Sequence, residues 1–174
     1  VLTEDIFNKL ENEFNVTLSR KPGMDTLACL QAAEKGDIVA ALIMGGNLYE
    51  GSPDTHWAEK ALNNVDFKVF LTTTLNRGHV YGCDDGESLV LPVTARDEEW
   101  HATTQESMFN YVRLSDGGIR RLDNVRPELV ILADIADGLL RQDVVDFSAF
   151  KQHKTVREAI AKIIPGMESL ADID

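Results

Sequence analysis

One stretch constrains what this chain can become: Ile38–Asn47, reading IVAALIMGGN. Seven apolar residues, Ile38 to Met44, lead into Gly45-Gly46-Asn47. A run that short, apolar on both faces, predicts a buried strand of a parallel sheet. Two glycines at its carboxyl end permit a tight turn and let a ligand approach the backbone without a Cβ in the way. In open α/β sheets the ligand crevice lies outside the carboxyl ends of the strands. Gly45-Gly46-Asn47 is thus either a ligand-facing turn or one that only joins strand to loop, and the local pattern leaves both open.

The rest of the chain sets the class. Its 174 residues suffice for a single domain with a sizeable core. No apolar run reaches eighteen residues, so no transmembrane helix and no membrane partner is expected. The acidic, amphipathic start VLTEDIFNKLENEF has the character of neither a signal nor a transit peptide. Val1 fits a chain excised from something longer. The formal net charge is −12 and no Lys/Arg cluster exceeds two residues, which argues against a nucleic-acid partner. Cys29 and Cys83 are too few for a disulfide framework. Cys29 reads as a small buried hydrophobe, Cys83 as an exposed thiol, and both fit a reducing, cytoplasmic setting.

Helical spacing marks Glu4–Phe14, with Thr3 as N-cap, and Thr26 to Lys35, capped by Asp25 and closed by Gly36. Ser52-Pro53 reads as the cap and first position of a helix Asp54–Asn63. Phe67–Thr72 predicts a second, central strand and Ser88–Pro92 a third, with a short helix at Asn76–Tyr81 between them. Met108–Leu114 is β-like, and helices follow at Glu128–Leu140 and Thr155–Ile164. Strands alternating with helices predict an α/β, Rossmann-like three-layer domain with a mainly parallel sheet. That domain spans 1–174, with a lead-in helix and connector over 1–22.

Common catalytic signatures are absent. His56, His79, His101 and His153 are scattered and no pair has zinc-ligand spacing, so no metal site is expected within this chain. Asp97-Glu98-Glu99 reads as a solvated acidic loop more readily than as a cation site. There is no phosphate loop, no nucleophile elbow and no ordinary dinucleotide fingerprint. Thr72, Thr73, Thr74 and Asn76 supply hydroxyls and an amide at a second strand end, suited to a phosphate or a base edge, though a threonine run also simply fills strands. Arg77 adds a cation and His79 an imidazole.

Gly45-Gly46-Asn47, Pro53-Asp54-Thr55, Thr72-Thr73-Thr74-Leu75-Asn76-Arg77-Gly78-His79 and Leu89-Val90-Leu91-Pro92, in this order and spacing, resemble one domain of the molybdopterin oxidoreductases. The likeness is to the formate dehydrogenase-like branch. Glu106-Ser107-Met108, Val156-Arg157-Glu158-Ala159-Ile160 and Ile164-Pro165-Gly166 extend it, so that it covers 23–166. The resemblance implies a Rossmann-like domain of a multidomain enzyme whose molybdenum is held by two molybdopterin guanine dinucleotides. It implies that Gly45, Gly46 and Asn47 approach the pterin or diphosphate. Thr72 and Asn76 fall where other members place an acidic residue and a threonine that read guanine and ribose; Thr72 replaces the carboxylate with a hydroxyl. Thr73, His79 and Thr104 complete the cofactor-facing set that the resemblance implies.

The iron–sulfur cysteine segment and the metal-ligating residue of that family have no counterpart here. The resemblance therefore implies no catalytic residue in this chain, no turnover by the isolated domain and no cofactor retained by it. Its partners would be the remaining domains of the parent oxidoreductase. Two other readings stand beside it: a free-standing α/β nucleotide-binding or protein-interaction domain, and the middle domain of a thiamine enzyme.

Overall fold

The computed structural model describes residues 2–106, 111–140 and 144–173. In chain order its elements are α1 (Glu4–Phe14), α2 (Thr26–Glu34), β1 (Ala40–Met44), α3 (Thr55–Asn63), β2 (Phe67–Thr72), β3 (Glu87–Pro92), β4 (Thr103–Glu106), β5 (Val112–Ser115), α4 (Glu128–Leu139) and α5 (His153–Ile163). The fold is α/β and Rossmann-like, as the pattern predicts, with a three-stranded parallel sheet ordered β1-β2-β3. The chain divides into two compact units: one of Lys21–Val93, the other of the residues up to Arg20 together with those from Thr94 onward. No described helix is long and apolar enough to cross a membrane.

Local chemistry sets the helix boundaries of the Lys21–Val93 unit. The Asp25 carboxylate accepts from the Ala28 N–H at 2.8 Å and starts α2, while Gly36, at φ +78°, follows its end. The α3 cap is Asp54, which accepts from the Trp57 N–H at 3.1 Å, and not Ser52 ahead of Pro53. The Ser52 hydroxyl instead donates to the Leu48 carbonyl, so it closes the preceding turn. Leu30, Ala33, Ala61, Leu62 and Val65 form the core between α2 and α3, with Ala41 of β1 and Trp57 packed against it.

Central strand β2 holds an unexpected charge. Lys68 is fully buried, and its ammonium donates to the carbonyls of Leu62, Val65 and Asp85 at 3.1, 2.7 and 3.1 Å. Two of those carbonyls lie at and just beyond the carboxyl end of α3, where the helix dipole favours a cation. Lys68 thereby ties the end of α3 to the turn that opens β3.

Strand β1 departs from expectation. It is an edge strand, and its residues alternate between exposed and half-buried. Ala41 and Ile43 face α2 and α3; Ala40, Leu42 and Met44 point to the opposite face.

The second unit joins α1, α4 and α5 to the antiparallel pair β4–β5. Thr3 caps α1 as expected. Glu11 of α1 accepts from the Leu18 N–H at 2.7 Å and takes a forked contact from Arg20, which draws its carboxyl down to about 2. Around Glu99, the Thr94 hydroxyl donates to one carboxylate oxygen at 2.6 Å and His153 lies 2.9 Å from the other. Both Thr94 and Glu99 are buried, so this cluster pins the start of α5 to the segment ahead of β4. In the expected strand Met108–Leu114, residues 108–110 lie outside the described residues; the strand observed is Val112–Ser115.

Candidate functional site

The carboxyl ends of β1 and β2 lie side by side, with Met44 in register with Leu71. The Gly45 N–H extends the ladder to the Leu71 carbonyl at 2.7 Å. Gly45 and Gly46 then turn the chain with φ +60° and +73°, the left-handed region that side chains disfavour. A Cβ built on either glycine meets nothing within 4 Å, so the backbone here borders open space.

Asn47 organises the loop beyond the glycines. Its side-chain oxygen accepts from the Glu50 N–H at 3.0 Å, its amide donates to the Glu50 carboxylate at 2.6 Å, and its carbonyl accepts from Gly51 at 2.9 Å. Across the crevice, Asn76 does the same for the loop after β2. Its side-chain oxygen accepts from the Gly78 N–H at 2.9 Å, and its own N–H donates to Nδ1 of His79 at 2.9 Å. The Asn76 amide reaches over to the Gly46 carbonyl at 3.0 Å and joins the two loops. The loops meet so closely that a Cβ on Gly78 would lie 2.5 Å from the Asn47 side-chain oxygen.

The structure thus brings Gly45, Gly46, Asn47, Thr72, Thr73, Asn76 and His79 to one end of one sheet. Their polar atoms are differently disposed. Thr72 is 7% exposed and its hydroxyl donates to the Thr74 carbonyl at 2.8 Å. His79 packs edge-on against Phe70 at 5.1 Å between ring centroids. Thr73 and Thr74 are exposed. Thr104 lies in the other unit, on β4, opposite Leu114.

Tyr49, Tyr81 and Glu50, which the pattern did not single out, also belong to this end. Tyr49 and Tyr81 stack with centroids 4.6 Å apart and planes 12° from parallel. The Arg77 guanidinium sits 5.1 Å from the Tyr81 ring and 5.8 Å from Tyr49, and pairs with Glu50 at 3.1 Å. The Tyr81 hydroxyl and then the Glu50 charge hold Arg77 above its ordinary pKa. The available signal was an aromatic residue in the loop after each strand end, which becomes informative only once β1 and β2 are known to be neighbours. The arrangement offers backbone at two glycines, threonine hydroxyls and one half-neutralised guanidinium, a donor-rich rim suited to a diphosphate or a sugar–base ligand. Among the described residues, no group of three or more His, Cys, Asp or Glu side chains is placed to hold a metal ion.

Comparison with known proteins gives the broader context. A Mycobacterium tuberculosis protein named uncharacterized oxidoreductase is 31% identical over 177 residues, covering 96% of this chain and 22% of that protein. A Mycobacterium bovis protein of the same description matches equally. The protein YdeP of Escherichia coli K12 is 27% identical over 165 residues, covering 90% of this chain and 22% of its own length. The chain therefore spans about a fifth of the length of the curated relatives it matches. No protein-family model matches it.

Proposed function

We propose that this chain is the molybdopterin guanine dinucleotide-binding domain of a larger molybdenum-dependent, formate dehydrogenase-like oxidoreductase, without turnover of its own. The observation that carries the reading is the glycine pair at the end of β1, turned in the left-handed region onto open space beside the β2 loop. The similarity to longer proteins named oxidoreductases supports the broader part of it. The motif order from Gly45 to Pro92 supports the finer part.

The residues fit such a group. Gly45 and Gly46 present bare backbone, Thr73 an exposed hydroxyl, and Arg77 a guanidinium whose charge suits a diphosphate. Asn47, Asn76 and His79 act one step back: they hold the two loops in the shape that leaves the glycines accessible. Thr72, with its hydroxyl turned to Thr74, sets the strand end. When bound, the cofactor supplies the two-electron redox chemistry, while the protein positions it. The parent's remaining domains are the partners in this reading, and the setting is cytoplasmic.

A side chain at Gly46 tests the site directly. In the full-length polypeptide, Gly46→Asn, a residue that tolerates the left-handed region, places a side chain where the ligand would lie, and Asn76→Ala releases the tie between the loops. Both variants should retain folded circular dichroism and lose most of their molybdenum by elemental analysis. Wild-type molybdenum in both folded variants would refute the assignment of this crevice.

A further inference from the structure

We propose that β1 is an interior strand of a wider sheet: a strand–helix unit from elsewhere in the same longer polypeptide adds a parallel strand to its free edge and lays a helix over its bare face. On that face Leu71 is buried and Val69 and Leu91 are half-buried, but four apolar side chains, concentrated on β1 and at the start of the sheet, remain exposed: Leu42 at 46%, Met44 at 50%, Phe67 at 41% and Leu89 at 45%. The register aligns Leu42, Val69 and Leu89 in one row across all three strands. Helices α2 and α3 cover the other face, where Ala41 packs against their core.

The two edges of the sheet differ in kind. Edge strand β3 carries Glu87 and Ser88 at one end and Pro92 at the other, the residues that blunt a natural edge. Strand β1 reads AALIM, with no charge, proline or bulge. Its outward backbone is specified by the ladder. The Gly45 N–H and Val39 carbonyl bond to β2, so the alternate amides of Leu42 and Met44 point away from it. A groove of about 390 Å³ runs along this edge, lined by Met24, Cys29, Leu30, Ile38, Ile43 and Leu48 among others.

Topology identifies the occupant. Strands 1, 2 and 3 of a doubly wound sheet progress one way, and the second half starts beside strand 1 with its helices on the opposite face. The order β1-β2-β3 is one such half. A second copy of this chain, through one two-fold contact, would cover either the edge or the face but not both. The relatives carry most of their length outside the matched segment, which is ample for the missing half. The crevice at Gly45 and Gly46 would then lie at the switch point and take its second wall from the incoming strand.

The inference rests on the chain's being part of a longer polypeptide, not on which dinucleotide it holds. The test uses that full-length protein. Hydrogen–deuterium exchange on the unmodified protein reads the edge: the Leu42 and Met44 amides should exchange at least about tenfold more slowly than in urea. Alkylation of Leu42→Cys and Leu89→Cys with N-ethylmaleimide, mapped by mass spectrometry, reads the face and should show the same protection. Exchange and alkylation within about twofold of the unfolded rates would overturn the proposal. Protection that disappears on dilution would assign the surface to a second copy and overturn it as well. Protection in a sample that lacks molybdenum would uphold it while refuting only the cofactor reading.

Discussion

At the scale of single residues, Asn47 is the joint on which the crevice turns. It bonds to Glu50 through both ends of its amide, and Gly78 leaves room for it to do so. Gly78→Ala brings a methyl 2.5 Å from the Asn47 side-chain oxygen and forces the Glu50 bonds to give. Overpacking of this kind costs about 1–3 kcal/mol, to be read from urea unfolding. The cost should shrink in the Asn47→Ala background, because the obstructing atom is gone. A double-mutant cycle should give a coupling of at least about 0.5 kcal/mol, whereas additive effects would place the strain elsewhere. The residue types at this site were legible in the sequence; their division of labour was not. Asn47 and Asn76 offer the same amide in the sequence as a ligand would want, and only the hydrogen-bond partners reveal that both are engaged in building loops.

Elements show where pattern and packing part company. The caps at Thr3 and Asp25 and the bounds of α1 and β2 follow from local chemistry, and local chemistry was readable. Ser52 ahead of Pro53 reads as the cap, but Asp54 lies two residues nearer the helix and its carboxylate reaches the Trp57 N–H. Lys68 was invisible to periodicity, since a lysine in a strand is ordinarily at the surface. Here it stands in for a helix cap. Lys68→Met would leave two buried carbonyls and one part-buried carbonyl without that donor and should destabilise the protein by about 1–3 kcal/mol in urea unfolding. An unchanged midpoint would mean that the carbonyls find other partners.

The link between α1 and the connector carries a pH signature. Arg20 and the Leu18 N–H lower the Glu11 carboxyl from 4.5 to about 2. Its contribution is therefore fully present above pH 4.5 and fades as pH falls toward 2. Glu11→Gln should lower the melting temperature slightly at neutral pH, and the gap to wild type should close across that window. The group is solvent-facing, so the gap should also narrow with salt. A gap independent of pH would show that the side chain acts by shape rather than by charge. Asp97, Asp134 and Glu168 are lowered as well, by Arg121, by Lys151 and by backbone N–H groups, and they give both proteins a common acid slope.

For the molecule as a whole, one lesson comes from β1. Its sequence says buried on both faces, and the chain buries it on one. The apolar run fixed the strand but not its place in the sheet: β1 lies at an edge, and Ala40, Leu42 and Met44 stay exposed. The Tyr49–Tyr81–Arg77 cluster makes the same point, because neighbours across a sheet are not neighbours in sequence. What ties these scales together is the crevice, built to hold one dinucleotide of a shared molybdenum cofactor in the function proposed above. The most direct measurement is made on the purified full-length protein: molybdenum by elemental analysis, with guanosine monophosphate released by acid hydrolysis from the same sample. Both should be present together and be lost together on denaturation and desalting. Active oxidoreductase containing neither would contradict the cofactor assignment.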